Sequence, residues 1–200
     1  MQYTLKICHL YPDLMDTYGD KGNIIAIKKR CEWRNISVQV TNVTIGDSLQ
    51  KTDFDLFFFG GGQDQAQKEV GIDLKQKEKD LKKQIEKGAV LLSVCGGYQL
   101  LQNYFQTIEG NKIDGIGIFD AYTKGSQQRM IGNLVISINQ DLQAQIPKSQ
   151  NPNQTNHRLV GFENHSGKTF LGNNTKPLGK VEKGFGNNGD DKTEGAIYKN

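Results

Sequence analysis

Ala89-Val90-Leu91-Leu92-Ser93-Val94-Cys95-Gly96-Gly97-Tyr98-Gln99-Leu100-Leu101 is the stretch that decides the fold. An apolar run stops at a cysteine, two glycines follow, and a second apolar run begins. That order predicts a buried parallel strand, a very tight turn and then a helix. A thiol on such a turn is pushed out at the carboxyl edge of the sheet and sits at a helix N-terminus. There the positive end of the dipole is expected to lower its pKa and favour the thiolate. The paired glycines let a substrate approach the backbone and free an N–H to face a developing oxyanion. A free cysteine closing a buried strand is usually a small core residue. The bare backbone after Cys95 turns the reading toward a nucleophile, because a structural cysteine has no need of it.

Strands and helices alternate on the N-terminal side of this stretch. Tyr3 to Leu10 reads as a first strand and Gly22 to Arg34 as a first helix, with Ile24, Ile25, Ile27 and Cys31 on one side. Ile36, Val38 and Val40 alternate as a second strand. Asp53 to Phe59 is a third, and its unbroken run Leu56 to Phe59 predicts burial on both faces. Leu74 to Lys87 is a charged helix with a narrow stripe of Leu74, Leu81 and Ile85, closed by Gly88. Its lysines and glutamates read as a solvated face. Ala89 to Val94 is the fourth strand and Gly97 to Tyr104 the next helix. The β-α-β-α order predicts an α/β protein, with a three-layer, doubly wound, mainly parallel sheet. Beyond residue 110, Ile116, Ile118 and Met130 to Ile138 look like further strands. Asp141 to His157 reads as a polar insertion, and Lys180 to Glu194 as loop. There is no internal repeat and no clear second domain.

The bulk composition excludes several classes. Lys+Arg number 25 and Asp+Glu 22, a net charge of +3 that argues for solubility and against nucleic-acid binding. The three cysteines, Cys8, Cys31 and Cys95, are odd in number and widely spaced, which argues against a disulfide framework, against a zinc site and for a reducing compartment. No stretch approaches transmembrane length and no signal peptide opens the chain, so a cytoplasmic protein without membrane insertion is expected. Nothing in the pattern calls for a cofactor or metal.

A second chemical signal follows the third strand, at Phe59-Gly60-Gly61-Gly62-Gln63-Asp64. Three glycines there predict a loop of exposed backbone N–H groups, able to bind a phosphate or an oxyanion. No Lys-Ser/Thr follows, so a phosphate loop is disfavoured, and a plain tight turn is the simpler alternative. In an open parallel sheet, ligands bind where the carboxyl ends of neighbouring strands meet. The Gly60 loop and Cys95 end successive strands and are expected to face one pocket.

Together these features resemble the class I glutamine amidotransferases, in particular the cobyric-acid-synthase-like group. Gly60-Gly61-Gly62-Gln63-Asp64 with Gln67 is similar to that group's oxyanion loop, and Val94-Cys95-Gly96-Gly97-Tyr98-Gln99 to its nucleophile turn. Tyr18-Gly19-Asp20-Lys21-Gly22-Asn23, Gly161-Phe162-Glu163-Asn164-His165-Ser166-Gly167-Lys168-Thr169, Gly184-Phe185-Gly186-Asn187-Asn188 and Glu194-Gly195-Ala196-Ile197-Tyr198-Lys199-Asn200 resemble the glutaminase subunits of lipid II isoglutaminyl synthases. The resemblance implies hydrolysis of glutamine to glutamate and ammonia through a Cys95 thioester. It implies oxyanion donors in the Gly60, Gly61, Gly62 loop and at Gly96, with Gln99 near the substrate. Arg129 would grip the substrate α-carboxylate, where a guanidinium can make two bonds. The implied partner is a Mur-ligase-like, ATP-dependent synthetase subunit that uses the ammonia to amidate the D-glutamate of lipid II, forming a heterodimer for peptidoglycan synthesis.

The match has one departure. In the family the base is a histidine in a Thr-Tyr-Leu-His-Gly-like stretch that follows the segment matching Glu194 to Asn200. The chain contains only His9, His157 and His165, none of them that base, and His165 is the first candidate among the three. Residues 1–200 are therefore expected to form one amidotransferase domain lacking its C-terminal end. The alternatives are another cobyric-acid-synthase-like amidotransferase and a non-catalytic flavodoxin-like binding subunit.

Overall fold

A computed structural model describes residues 3–50, 52–145 and 157–199. They divide into two compact units, Met1–Leu101 with Ile113–Ile116, and Gln102–Lys112 with Gly117–Asn200. The first unit contains β1 (Thr4–Leu10), α1 (Lys21–Glu32), β2 (Ser37–Val43), β3 (Leu56–Phe59), α2 (Asp64–Glu86), β4 (Val90–Ser93) and α3 (Gly96–Leu100). Its four strands are all parallel, in the order β2-β1-β3-β4. This is the doubly wound order in which the chain reverses direction across the sheet between β1 and β3.

Side chains alternate across each strand, so Ile7 and Phe58 point to one face and Cys8, Phe57 and Phe59 to the other. On the first face Ile7 and Phe58 pack with Ile24 of α1, flanked by Leu5, Val38, Val40 and Leu56. On the second face lies α2, whose Lys77 is close enough for its charge to act on Cys8. The β3 phenylalanines Phe57, Phe58 and Phe59 are fully buried, as an unbroken apolar run requires.

The α2 helix starts at Asp64, ten residues before the apolar stripe predicts. Its buried positions Gln67, Val70, Leu74, Lys77, Leu81 and Gln84 recur at three- and four-residue steps. Three of these six are polar, so a reading by hydrophobicity misses the first turns. On α1 the expected apolar side is narrower: Ile24 is buried, but Ile25 is 66 % exposed. Adjacent helical residues stand about 100° apart and cannot share one contact line. The helix expected over Gly97 to Tyr104 stops at Leu100, because Tyr104 and Phe105 enter a strand that pairs with Tyr122 and Thr123.

The second unit is built from β5 (Tyr104–Gln106), β7 (Ala121–Lys124), β8 (Met130–Ile138), α4 (Gln140–Gln143), β9 (Arg158–His165), β10 (Lys168–Leu171), β11 (Gly179–Lys183) and β12 (Thr193–Glu194), while β6 (Lys112–Asp114) crosses the division. β7 pairs parallel with β5 and antiparallel with β10. β12, β11, β8 and β9 form an antiparallel sheet in that order. Apart from the β5–β7 pair, the strand pairs named here are antiparallel, unlike those of the first unit. Met130 to Ile138 is the strand that its alternation predicts. Ile116 and Ile118 are buried but lie outside the strands. The expected loop over Lys180 to Glu194 contains β11 and β12. The turn between them is organised by Asn188, whose Oδ1 accepts the N–H groups of Asp190 and Asp191. Most of the expected polar insertion lies outside the described residues; its start forms the short α4.

The largest buried polar cluster of the first unit joins β1 to α2. Asp73 accepts hydrogen bonds from the Tyr11 hydroxyl at 2.7 Å, the Gly46 N–H at 3.0 Å and the Lys77 ammonium. Burial pushes the Asp73 carboxyl up, but these donors outweigh it and hold the pKa below the usual value. Asp73→Ala leaves the Lys77 charge buried without its partner, which typically costs about 3–5 kcal/mol. A urea titration at pH 7 is expected to show that loss. Because the folded pKa is depressed, the stabilisation is present above the unfolded value and disappears as pH falls. The gap between variant and parent therefore closes below about pH 3.9.

Candidate active site

Cys95 sits where β4 turns into α3, with φ 51° and ψ −120°. A non-glycine residue in that conformation is strained, and such strain recurs at functional sites. The turn is seated on the end of β3. Gly97 donates its N–H to the Gly60 carbonyl at 3.0 Å and to the Val94 carbonyl at 3.1 Å. A Cβ on Gly97 would stand 2.7 Å from the carbonyl oxygens of both Phe59 and Gly60. A Cβ on Gly96 would lie 3.0 Å from Gly62 N, Gly62 O and Gln67 Nε2. The structure thus brings together Cys95, Gly96 and the Gly60–Gly62 loop, as the strand order predicts.

That loop is not the open nest the glycines suggest. All three glycines are buried. The Gly61 N–H donates to Asp20 Oδ2 at 3.1 Å, and the Gly61 carbonyl accepts the Thr17 N–H at 3.1 Å. The Gly62 carbonyl accepts Gln67 Nε2 at 3.0 Å. Side chains at Gly60 or Gly62 would overlap the Met15 carbonyl oxygen or the Met15 sulfur. Among the described residues nothing accepts from the Gly62 N–H. That N–H is free to meet a developing oxyanion.

The Cys95 thiol does not behave as the helix-dipole argument predicts. Its pKa is raised: burial dominates, the Gly96 N–H bonded to the sulfur lowers it, and the Asp20 charge raises it again. α3 has only five residues, so few aligned peptides oppose the burial. The residue itself is exposed. Its sulfur nevertheless lies 3.3 Å from the spot a Gly61 side chain would fill, and Tyr18 lines the same spot at 3.1 Å. Gln99, half-buried, follows in α3 with its N–H on the Cys95 carbonyl at 3.1 Å.

The remaining residues singled out from the sequence are His9 in the first unit and His157, His165 and Arg129 in the second. His9, on β1, is buried against Phe58, and its Nε2 has no partner. Burial holds its pKa below the ordinary histidine value. His157 is exposed. In the second unit, Arg129 is exposed and its Nε donates to Asn164 Oδ1 at 2.9 Å across the β8–β9 pair. His165 Nδ1 donates to the Gly167 carbonyl at 2.9 Å, and its Nε2 stands 3.7 Å from a Glu163 carboxylate oxygen. Glu163 is buried and accepts the N–H groups of Phe185 and Gly186 at 2.7 and 2.9 Å. Glu194 is pushed up by burial, and the His165 and Glu163 charges act on it in opposite senses.

A cysteine on a strand-to-helix elbow, facing a glycine loop whose Gly62 N–H is free, is suited to attack a carbonyl carbon and hold the resulting oxyanion. The fold is that of glutamine amidotransferases. A chain of the PurLQS structure from Thermotoga maritima is similar with a TM-score of 0.62 at 16 % identity, over all of this chain and 83 % of that one. A crystal structure of a glutamine amidotransferase gives 0.51 at 12 % identity, over 86 % of this chain and 79 % of that one. Residues 6–200 match the CobB/CobQ-like glutamine amidotransferase domain, and the chain belongs to that family. It is 39 % identical to the lipid II isoglutaminyl synthase (glutamine-hydrolyzing) subunit GatD of Streptococcus pneumoniae, over 99 % of this chain and 71 % of the relative. Against the subunit of the same name from Staphylococcus aureus it is 37 % identical, over 99 % and 74 %. A probable cobyric acid synthase of Methanococcus maripaludis is more distant, 30 % identical over 60 % of this chain and 23 % of its own length.

The residues that the sequence does not single out are Met15 and Thr17, which pack on and bond to the glycine loop. Asp20 and Gln67 stand in motifs that carry the family resemblance, but their hydrogen bonds to Gly61 and Gly62 are not legible there. No local signal along the chain gives a bond between residues 41 positions apart.

The raised thiol has a direct readout. Alkylation of Cys95 by iodoacetamide, followed by peptide mass, is expected to accelerate with a midpoint above the ordinary thiol value. Cys8, buried and pushed further up, is expected to stay unlabelled in the folded protein.

Proposed function

We propose that this chain is the glutaminase subunit of a two-subunit, ATP-dependent amidating enzyme acting in cell-wall synthesis. Cys95 attacks the side-chain carbonyl of glutamine, ammonia departs, and the γ-glutamyl thioester is hydrolysed to glutamate. The observation that carries this reading is the free Gly62 N–H held beside the Cys95–Gly96 turn. A donor of that kind typically lowers the barrier by about 3 kcal/mol. Arg129 binds the α-carboxylate of glutamine, a role that rests on the family resemblance. The partner is a Mur-ligase-like synthetase that uses the ammonia to amidate the D-glutamate of lipid II, in keeping with the names of the two relatives. The reaction runs in the cytoplasm. Among the described residues no helix is long and apolar enough to cross a membrane.

The resemblance assigns proton transfer to a histidine other than His9, His157 and His165, so acylation of Cys95 is the half-reaction to follow. Rapid quenching after mixing with glutamine is expected to give a glutamyl adduct on Cys95 by mass spectrometry, and none in Cys95→Ala. A folded protein that never acylates, even with the segment carrying the family's histidine present, would instead favour a non-catalytic binding subunit. Arg129→Ala removes charge-assisted bonds to the carboxylate. It is expected to raise the glutamine concentration for half-maximal acylation about 10- to 100-fold, with the saturating rate little changed.

A further inference from the structure

Asp20 occupies the N-cap position of α1 but does not cap it. An aspartate there normally accepts an N–H from its own first turn. Here Asp16 takes over, accepting the Lys21 N–H at 2.7 Å. The Asp20 carboxylate is buried and is turned the other way, onto the Gly61 N–H at 3.1 Å and the Tyr18 N–H at 3.4 Å. Three residues earlier, the Thr17 N–H holds the Gly61 carbonyl at 3.1 Å. In a trans peptide the N–H and C=O point in opposite directions. Fixing the Gly61 carbonyl toward Thr17 therefore turns the Gly62 N–H away from it, on the side where Gly96 stands. The β1–α1 loop thus grips the two successive peptides on which the oxyanion donor depends.

We propose that Asp20 is a positioning residue of the active site, a buried hydrogen-bond acceptor that holds the Gly60–Gly62 loop with the Gly62 N–H aimed at the reacting carbonyl. The inference rests on the glutaminase reading above. Its charge does not serve the nucleophile: it acts on the Cys95 thiol in the direction that disfavours the thiolate. What the site uses is the acceptor oxygen, and a single oxygen, Oδ2, receives both N–H groups.

Asp20→Asn keeps an acceptor and removes the charge; Asp20→Ala removes both. In the full-length protein, Asp20→Asn is expected to retain glutamine turnover within about threefold, while its Cys95 alkylation profile moves to lower pH. Asp20→Ala is expected to lose about 100-fold in kcat with little change in KM, the size of effect seen when an oxyanion donor is lost. Amide hydrogen exchange supplies a readout independent of activity. The Gly61 N–H should stay protected in the parent and in Asp20→Asn, and open in Asp20→Ala. Equal kcat losses in the folded Asn and Ala variants would overturn the proposal, as would full activity or a protected Gly61 N–H in Asp20→Ala. Should Asp20→Ala fail to fold, Asp20→Asn decides alone, since a 100-fold loss there contradicts the acceptor role. A parent protein without Cys95-dependent glutamine turnover would sink the glutaminase reading instead, and Gly61 exchange would still decide whether Asp20 holds the loop.

Discussion

The structure of the site depends on a seam that only glycine can fill. At the carboxyl edge of the parallel sheet, the end of β3 and the turn after β4 meet backbone to backbone. Gly97 rests on the carbonyl oxygens of Phe59 and Gly60, and Gly96 rests on the peptide of Gly62. A methyl group at either position would have to displace main chain, not the flexible tip of a side chain. The closeness of this seam places a free N–H beside the nucleophile turn, and it leaves Cys95 in a strained conformation that packing on both sides maintains.

α2 supports this arrangement with polar side chains, not with apolar ones alone. Gln67, in its second turn, holds the Gly62 carbonyl. Asp73, farther along, ties Tyr11 and Gly46 to the helix. Gln84, near the end, donates to the carbonyls of Leu49 and Thr52 and accepts the Phe54 N–H. Gln67 and Gln84 satisfy buried groups, the Gly62 carbonyl, the Leu49 carbonyl and the Phe54 N–H, whose loss of a partner would cost more than the hydrogen bond itself returns. The helix is therefore a spine whose buried amides and carboxylate position loops at both ends of the strands.

The electrostatics of the site run against a resting thiolate. Burial and the Asp20 charge outweigh the Gly96 N–H, so the sulfur keeps its proton until a base and a substrate are at hand. A short helix supplies little dipole. Geometry, in the form of an aimed peptide N–H, carries more of the preparation for catalysis than the pKa of the nucleophile does.

Much of the architecture was legible in the chain itself. The apolar run at Leu56 to Phe59 identifies a strand buried on both faces. The run Ala89 to Val94 also forms a strand, but not the buried one its composition predicts, because β4 lies at the edge of the sheet and leaves Val90 and Leu92 exposed. Cys95 and the glycine loop are legible for the same local reason: a bare backbone at a strand's end has few uses. What the sequence could not show is where the polar residues turn. Asp20 and Gln67 stand in recognisable motifs, but their hydrogen bonds to Gly61 and Gly62 are not written there, because Asp20 meets the loop only when the β1–α1 loop and the end of β3 have packed. The thiol's pKa is likewise a sum over burial and distant charge, and the antiparallel pairing beyond Leu101 is a matter of which strands meet. Sequence by itself determined most elements of the first unit and the strand-to-helix turn that carries Cys95, because those depend on neighbours along the chain. Tertiary structure decided which N–H is free and which carboxylate holds the loop, because those depend on neighbours in space.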